Sequence, residues 1–418
     1  ERRNSQGSNL ASALRALPTA PVMDPDDPSK FFGPVDEIGK SGNPVANLYY
    51  NSDNYTNYYK TIANFFVKLE PVKNLVFQSS YTLNNSNSEG KSFLPKYEVN
   101  VDQRRTDNEL SVNQSRTFNW LNENTLSYSF EKNKHAFSAL VGITFQKTTS
   151  QDQSQKILGM PDVAWKNRDL WYTGLGQAST LTGTTGGAVF TYLSYLARVN
   201  YNYDNKYLIT ATVRTDGSSR FPVNGRYGTF PAVGVGWAMH EENWLKNVGW
   251  LNQLKLRYSF GEVGNDKMSD DKRFPYITTL QNDGNYHFGN LGVTNKGGIR
   301  IATLGTSGLT WEVARKHNFG IDLTVADDFT FVIDIFRDKR EKIFMKRGNI
   351  PYTAGYDVAD TNIQPWANVG KMLNKGVDGT LKYSHQFGDF FLTVRGNLTY
   401  SKTEVLDYDE AANALYYQ

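Results

Sequence analysis

Apolar and polar residues alternate one by one in two segments of the chain, 196–203 and 207–214, which flank a short Asp-Asn-Lys turn. One alternate set is apolar or aromatic: Ala197, Val199, Tyr201, Tyr203, Tyr207, Ile209, Ala211 and Val213. The intervening set is polar: Arg198, Asn200, Asn202, Thr210, Thr212 and Arg214. A repeat of two residues is that of a β-strand, whose side chains point alternately to opposite faces. The pattern therefore predicts a β-hairpin with one apolar face.

The same alternation returns along most of the chain. It is found in 63–69 with 75–83, 126–130 with 137–145, 233–239 with 254–260, 319–325 with 329–335, and 381–387 with 390–400. We expect about twelve strands of roughly 9 to 14 residues, a length that suits tilted strands crossing a bilayer. Strands of soluble sheets are shorter, about 5 to 6 residues on average.

Short and long connections follow one another between these segments. Short ones are predicted at 70–74, 131–135, 204–206, 326–328 and 387–389, and long ones at 84–120, 148–190, 264–310 and 341–373. Structureless loops beyond about 15 residues count against a compact soluble domain. Outer-membrane barrels combine short periplasmic turns with long extracellular loops. The predicted fold class is all-β, a transmembrane antiparallel up-and-down β-barrel with long extracellular loops.

Composition agrees with this interpretation. Aromatic residues make up 14% of the chain, whereas the hydrophobic fraction is 39% and the mean hydropathy is -0.54. A transmembrane barrel can have such an average because only alternate residues meet lipid. The 45 basic and 42 acidic residues are mixed along the chain, which argues against a nucleic-acid partner. The absence of cysteine excludes disulfides and thiol chemistry.

No motif predicts covalent chemistry. The segment 216–219, Asp-Gly-Ser-Ser, is interpreted as a turn, because Gly allows positive φ and Asp and Ser bond the local backbone. Arg214 and Arg220 beside it are expected to pair with carboxylates such as Asp216 or Asp322. The five histidines lack metal-ligand spacing, and the acidic stretches 24–27 and 266–271 lack EF-hand spacing. We predict no catalytic, cofactor-binding or metal-binding residue, and no enzyme.

Aromatic residues in the long loops are the candidate substrate contacts. They are Trp165, Trp171, Tyr172, Tyr286 and Tyr352. An exposed aromatic ring can stack on a sugar or pack on a peptide side chain, and loops on a rigid scaffold commonly carry recognition. The alternative is that the first three of these pack within their own loop or against a partner.

Several longer motifs carry a family resemblance. Residues 194–203, followed by Arg-Thr-Asp-Gly-Ser-Ser-Arg-Phe at 214–221, resemble a hairpin of the SusC/RagA family, the TonB-dependent outer-membrane transporters of Bacteroidetes. Further matches follow in the order of that family: 227–232, 254–261, 309–312, 318–322 and 368–378. Upstream, 14–18 and 43–46 also resemble it.

The resemblance implies a barrel of about 22 strands filled by an N-terminal plug. With about twelve strands expected, the chain is interpreted as a partial barrel that lacks the plug and the C-terminal strands. Residues 1–60 would form an extracellular loop region, and residues 61–418 the barrel portion. The implied location is the outer membrane, with the apolar face in contact with lipid.

The function implied by the resemblance is TonB-dependent import of large nutrients, oligosaccharides or peptides. The implied partners are a SusD-like surface lipoprotein and the TonB–ExbB–ExbD complex, with no cofactor. The alternative function is a secreted or surface β-rich adhesin or lectin, which predicts that the apolar face is buried inside the protein.

Overall fold

The structure is a computed structural model that describes residues 2–3, 7–16, 18–33, 42–100, 103–267, 274–288, 294–347 and 363–409. Helix α1 spans Gly7–Arg15 and helix α2 spans Pro44–Tyr50. The Asn43 side chain caps α2 by accepting hydrogen bonds from the backbone amides of Val45 and Ala46. Within the described ranges, no helix has both the length and the apolar character needed to cross a membrane.

Twelve long strands form one antiparallel sheet in which neighbours in sequence are neighbours in space. They are β2 (Tyr55–Val72), β3 (Leu75–Leu94), β6 (Glu109–Lys132), β7 (His135–Leu158), β8 (Thr182–Tyr203), β9 (Tyr207–Ser218), β10 (Tyr227–Ala238), β11 (Leu251–Asn265), β14 (Glu312–Val325), β15 (Phe329–Lys346), β16 (Trp366–Phe387) and β17 (Phe390–Asp407). The predicted number of strands and the antiparallel up-and-down order are confirmed.

Smaller elements complete the described structure. The two-residue strand β1 (Arg2–Arg3) pairs with β2. Two separate hairpins lie in the connections: β4 (Tyr97–Glu98) with β5 (Arg104–Arg105), and β12 (Thr279–Phe288) with β13 (Thr294–Thr303). Short 3-10 helices span Asp162–Ala164, Arg168–Leu170, Thr173–Leu175, Ala178–Thr180, Val223–Gly225 and Met239–Glu241.

The five short turns fall where they were predicted. They occupy 73–74, 133–134, 204–206, 326–328 and 388–389. Asn74, Asn133, Asp204 and Asn205 adopt positive φ of 70°, 56°, 56° and 56°, and Gly388 adopts 59°. Asn, Asp and Gly are the residues that tolerate this left-handed conformation best. Residue type therefore suits the reversal in four of the five turns; in the turn at 326–328, Asp327 at 59° fits this rule and Ala326 at 51° does not.

The predicted strand lengths of roughly 9 to 14 residues are too short for most strands. β6 and β7 have 24 residues each, and β3 has 20. Their additional residues lie in polar segments that were predicted as loops, because backbone pairing does not require an apolar partner on either face. The boundary at residue 60 also falls inside β2, which begins at Tyr55.

The chain divides into two compact units. Unit 1 comprises 1–65, 82–120 and 147–189, and unit 2 comprises 66–81, 121–146 and 190–418. Each unit has its own buried apolar cluster. The unit 1 cluster is Phe93, Leu110, Ile157, Met160, Ala164 and Trp171, and the unit 2 cluster is Phe221, Phe230, Leu309, Trp311, Phe344 and Trp366.

Four residues of the unit 2 cluster, Phe221, Phe230, Leu309 and Trp311, belong to the motifs that carry the family resemblance. The ring centroids of Phe230 and Trp311 lie 5.4 Å apart in an edge arrangement, and Trp311 Nε1 donates to the Arg226 carbonyl at 2.9 Å. Gly228 is required beneath them, since a Cβ there would lie 2.5 Å from a ring carbon of Phe230. Asn368 accepts from the Thr310 amide at 2.9 Å and donates to its carbonyl at 2.8 Å.

The predicted apolar face is confirmed in the hairpin of β8 and β9. Tyr201 lies opposite Ile209, and Val199 lies opposite Ala211. Strand β10 extends the same face, because Val235 lies opposite Ile209. Ile209 and Val235 are each 45% exposed. A cross-strand apolar surface of this kind is accessible in unit 2 rather than covered by a second layer of its described residues.

Aromatic residues end this face beside the short turns. Tyr203 lies opposite Tyr207, and Phe387 lies opposite Phe390. Glu242 accepts hydrogen bonds from the Tyr207 hydroxyl at 2.6 Å and from Trp237 Nε1 at 3.1 Å. Rings with one apolar side and one hydrogen-bonded atom suit a boundary between hydrocarbon and water.

The opposite face of unit 2 carries paired charges. Arg257 on β11 donates to Asp322 on β14 at 2.7 Å and to Asp334 on β15 at 3.2 Å, so one guanidinium joins three strands. Arg214 pairs with Asp216 at 2.7 Å, as one of the predicted pairings. Arg220 instead pairs with Asp266 at 3.5 Å.

The segment 216–219 has a structural role. Ser218 is fully buried, and its hydroxyl donates to Asp266 at 2.7 Å. This bond ties the end of β9 to the residue that follows β11. The interpretation of the segment as a turn is wrong for 216–218, which are the last residues of β9 and pair with β8, and Gly217 does not adopt positive φ; the turn begins at Ser219.

The two faces predict unequal tolerance to charge. For the full-length protein embedded in lipid vesicles, Ile209→Arg should lower the free energy of unfolding by about 2 to 4 kcal/mol, because the guanidinium group is placed in hydrocarbon. Thr210→Arg is the matched control, since Thr210 lies on the polar face and bonds Asn200 at 3.0 Å. Guanidinium titrations of both variants in vesicles measure the difference, and equal losses would contradict the assignment of the faces.

Candidate functional site

A polar cleft of about 470 Å³ lies in unit 1. It is formed by residues of β2, β3, β6, β7 and β8, near the long connections. The described residues that line it are Thr56, Ser88, Gly90, Lys91, Ser92, Asn113, Gln114, Ser115, Asp152, Gln153, Ser154, Thr184, Thr185 and Gly186. Neutral hydroxyl and amide groups dominate this lining.

The cleft belongs to the polar face of the sheet. In β7 the apolar side chains are at odd-numbered positions from 137 to 145, so the even-numbered Asp152 and Ser154 lie on the other face. In β3 the apolar positions are also odd-numbered, so Ser88 and Ser92 lie on that same polar face. Ser154 donates to Asn113 of β6 at 2.7 Å, and Asn119 donates to Thr148 at 2.9 Å. These bonds form a ladder of polar side chains across the two strands.

Small residues leave the cleft open. Gly186 on β8 has no atom within 4 Å of the position that a Cβ would occupy. A second, overlapping cleft of about 620 Å³ shares Ser88 and Asp152 and adds Glu89 and Arg116. The resulting surface can donate and accept many hydrogen bonds without one dominant charge, which suits a large polar solute.

An aromatic cluster lies in the connections of unit 1. It consists of Phe31, Tyr49, Tyr50, Tyr97 and Trp165. The rings of Tyr50 and Tyr97 stack at 4.2 Å, and burial raises the pKa of the Tyr50 hydroxyl. Lys166 Nζ lies 4.0 Å from the centroid of Tyr49, within cation–π range. The cluster therefore offers a partly exposed aromatic surface with a positive charge on it.

The predicted contact residues occupy different environments. Trp165 is half-buried in the aromatic cluster, whereas Trp171 is 1% exposed, and its Nε1 donates to the Ala164 carbonyl at 2.9 Å. Tyr172 is 61% exposed, with Lys91 Nζ 4.8 Å from its ring centroid. Tyr286 lies in β12, but its side chain is outside the described part of the structure, and Tyr352 lies outside the described residues.

Trp171 anchors its own loop. Its ring stacks on Phe93 at 5.7 Å and on Tyr55 at 6.0 Å, so that the connection 159–181 is held against β2 and β3. Nearby, the Lys96 ammonium and then the Asn108 amide lower the pKa of the Asp162 carboxyl by binding its charged form. The environment of Trp171 is therefore that of the alternative stated above, a ring packed within the protein, here inside unit 1.

The polar lining of the cleft escaped the sequence analysis. Apart from Thr56, its residues lie in 84–120 and 148–190, which were predicted as loops, and a strand without apolar alternation gives no two-residue signal. The available signal was compositional: runs of Ser, Thr, Asn, Gln and Gly border apolar strands at 113–115, 151–154 and 182–187.

Acidic residues are engaged in local bonds. The Ser29 hydroxyl and the Lys30 ammonium lower the pKa of Asp27 to about 2. Asp24 accepts a hydrogen bond from the Asp26 amide at 2.9 Å. Across the described residues, no group of three or more His, Asp or Glu is arranged to hold a metal ion.

Comparison with known proteins decides the family. A family model described as "TonB dependent receptor-like, beta-barrel" matches residues 4–417. The chain belongs to this TonB-dependent receptor family. The resemblance found in the motifs is confirmed, and the twelve-strand sheet corresponds to part of the β-barrel fold of these receptors.

Curated relatives are longer than this chain. TonB-dependent receptor P39 of Formosa agariphila is 30% identical over 373 residues, covering 87% of this chain and 33% of the relative. TonB-dependent receptor SusC of Bacteroides thetaiotaomicron is 31% identical over 230 residues, covering 54% of this chain and 22% of the relative. The chain thus spans about a third or less of the length of these two receptors.

Solved structures share the fold. The RagAB peptide transporter matches with a TM-score of 0.74 and 22% identity, over 88% of this chain and 38% of that one. The ferric-catecholate import receptor Fiu from E. coli matches with a TM-score of 0.51 and 9% identity, over 85% of this chain and 49% of that one. Barrels of the TonB-dependent receptor family are outer-membrane proteins.

The buried tryptophan predicts a loop-specific loss of stability. Trp171→Ala should remove about 3 to 5 kcal/mol of local stability, because it deletes a buried ring and its hydrogen bond. Limited proteolysis of the full-length protein should then cleave the connection 159–181 faster. Tyr172→Ala, at the exposed neighbouring position, is the control and should leave the cleavage rate unchanged. Equal rates for both variants would contradict an anchoring role for Trp171.

Proposed function

We propose that this chain is part of an outer-membrane importer that takes up large polar nutrients, oligosaccharides or peptides. The observation that carries the proposal is the contrast between the two faces of one continuous sheet. In unit 2, one face exposes cross-strand apolar residues such as Ile209 and Val235, whereas the other face carries Thr210 and the Arg257–Asp322 ion pair. In a barrel wall, the first face contacts lipid and the second lines the route of transport.

The height of the apolar band supports the membrane location. On β16 and β17 it runs from the pair Phe387 and Phe390 to the pair Val377 and Tyr400. Ten residue steps cover about 34 Å along a strand, or about 25 Å across the membrane when the strand tilts by about 45°. This is the height of the apolar band of outer-membrane barrels, about 25 Å.

The adhesin or lectin alternative required a buried apolar face. On strands with a neighbour on each side, Ile335 is 54% exposed and Val235 45% exposed, as expected of side chains that need lipid around them. A soluble protein rarely leaves a contiguous apolar surface of this size in water. The observed exposure therefore favours the importer.

The cleft supports a polar polymer as cargo. Oligosaccharides offer hydroxyl groups and peptides offer backbone amides, and both match the Ser, Thr, Asn and Gln side chains of the lining. Trp165 and Tyr172 are retained as proposed contacts, because each presents part of its ring to solvent. The other three residues are not proposed as contacts, because Trp171 is buried and the side chains of Tyr286 and Tyr352 lie outside the described part of the structure.

We further propose the partners that the resemblance implied. A SusD-like surface lipoprotein would cover the extracellular connections, with the aromatic cluster around Tyr49 and Trp165 as a contact surface. The TonB–ExbB–ExbD complex would supply energy from the periplasmic side of the full-length receptor. No step of covalent chemistry is assigned to the chain.

Location can be tested directly with the full-length protein. We expect it to fractionate with the outer membrane and to migrate faster in detergent gels before boiling than after. A protein found in the soluble fraction, with the same migration in both samples, would refute the outer-membrane proposal.

Cargo entry can be tested by filling the cleft. Gly186→Trp should reduce uptake about tenfold or more, because a side chain placed in the open space beside Gly186 excludes the solute from the cleft. Gly174→Trp is the matched control, since Gly174 also has open space around its Cβ position but lies outside the cleft.

The same strains decide between the two cargo classes. Growth on defined oligosaccharides and growth on defined peptides are measured for the deletion strain, the complemented strain and both glycine variants. The true cargo class is the one whose use is lost on deletion and in Gly186→Trp but kept in Gly174→Trp. Unimpaired growth of Gly186→Trp on every cargo that requires the protein would refute the role of the cleft.

A further inference from the structure

Three cations lie side by side on the apolar face of unit 2. Arg337 of β15 lies opposite Lys375 of β16, and Lys375 lies opposite Lys402 of β17. His317 of β14 continues the row, opposite Arg337. All three Lys and Arg side chains are exposed. We name Arg337, Lys375 and Lys402 the cationic row.

The cationic row directly follows the last apolar row. Two residues nearer the short turns, the same strands place Phe319, Ile335, Val377 and Tyr400 opposite one another. These four side chains are between 41% and 66% exposed. A step of two residues is about 7 Å along a strand, so the charged groups begin where the apolar band ends on the long-loop side.

Charges next to the row are neutralised. Arg315 binds Glu262 at 2.8 Å and Glu341 at 2.7 Å, and Lys339 binds the same Glu341 at 2.7 Å. Two cations therefore meet two carboxylates. Like charges placed directly opposite on neighbouring strands are destabilising, which such pairing avoids.

The cationic row itself keeps a positive excess. Lys375 and Lys402 share one carboxylate, Glu404, at 3.3 Å and 3.2 Å. Among the residues that the structure describes, no carboxylate lies within ion-pair distance of Arg337. Three cations against one carboxylate leave a charge of +2 on a patch about 10 Å wide, given neighbouring strands about 4.8 Å apart.

We propose that the cationic row binds the phosphate of an anionic lipid of the outer leaflet, whose acyl chains lie on the apolar rows beside it. This inference rests on the outer-membrane location proposed above. A guanidinium and two ammonium groups provide charge-assisted donors for phosphate oxygens. The adjoining rows supply the hydrocarbon contact that a free phosphate would not use. The ligand class is thus a phosphorylated lipid rather than a soluble anion.

The test uses the full-length protein, purified in detergent and freed of lipid. Monophosphoryl lipid A is the probe, and dephosphorylated lipid A and inorganic phosphate are the comparison ligands. The variant Arg337→Gln/Lys375→Gln/Lys402→Gln keeps side-chain length but removes the charge. The control Lys382→Gln/Arg395→Gln removes two cations that lie opposite each other on the polar face of the same two strands.

We expect the triple variant to bind monophosphoryl lipid A about 100-fold more weakly, since the three charges that attract the phosphate are removed. The control should bind like the unmodified protein, and dephosphorylated lipid A should bind both proteins weakly. Native mass spectrometry and the shift of the melting temperature with lipid provide the measurements. Heat-modifiable migration shows that each variant is folded.

Three results would overturn the inference. They are equal lipid binding by the triple variant, an equal loss in the control, and stabilisation by inorganic phosphate that matches that by the lipid. A protein that fractionates with the outer membrane but shows any of these refutes the lipid site alone. A protein that does not reach the outer membrane refutes the proposed location instead.

Discussion

Backbone pairing between neighbouring strands is the constraint on which this structure depends. Each interior long strand pairs its amide and carbonyl groups with the strands on its two sides, and the two-residue alternation of side chains follows from that geometry. In lipid, where water cannot bond the backbone, such pairing is obligatory. The side chains are then free to differ completely between the faces, as they do for Ile209 and Thr210. Register is therefore strongly specified, because a slip of one residue would move the polar side chains of a strand to the apolar face of the sheet and its apolar side chains to the polar face.

The sequence was most informative where one face is apolar. The hairpin from Leu196 to Arg214 was predicted with its turn and its face assignment, because the alternation and the Asp-Asn turn residues give independent signals for the same structure. The family could also be predicted, since several long motifs occur in one order. The family model matching 4–417 confirms it.

Strands with two polar faces were much harder to predict. The additional residues of β3, β6 and β7 pair without alternation, and the cleft is formed in these residues. Its lining depends on which hydroxyl and amide groups meet across strands, such as Ser154 and Asn113, and spacing along one strand does not encode this. The exposure of aromatic side chains in the loops was equally hard to predict from the sequence. Trp171 and Tyr172 are neighbours in sequence, yet one is buried and the other is exposed, because the short helical turns around them orient the two rings differently.

The unit 2 cluster anchors the ends of its connections with one set of residues and leaves the rest of each connection to others, whereas in many loops the same residues serve for anchoring and for recognition. Phe221, Phe230, Leu309, Trp311 and Trp366 come from distant parts of the chain and lie where strands give way to connections. Because these side chains fix the ends of the connections, the residues between the ends do not have to stabilise the sheet. Insertions and exchanges there can accumulate without disturbing strand register. A receptor built in this way can change its substrate specificity through changes in the loop residues between these fixed positions, while the strands stay the same.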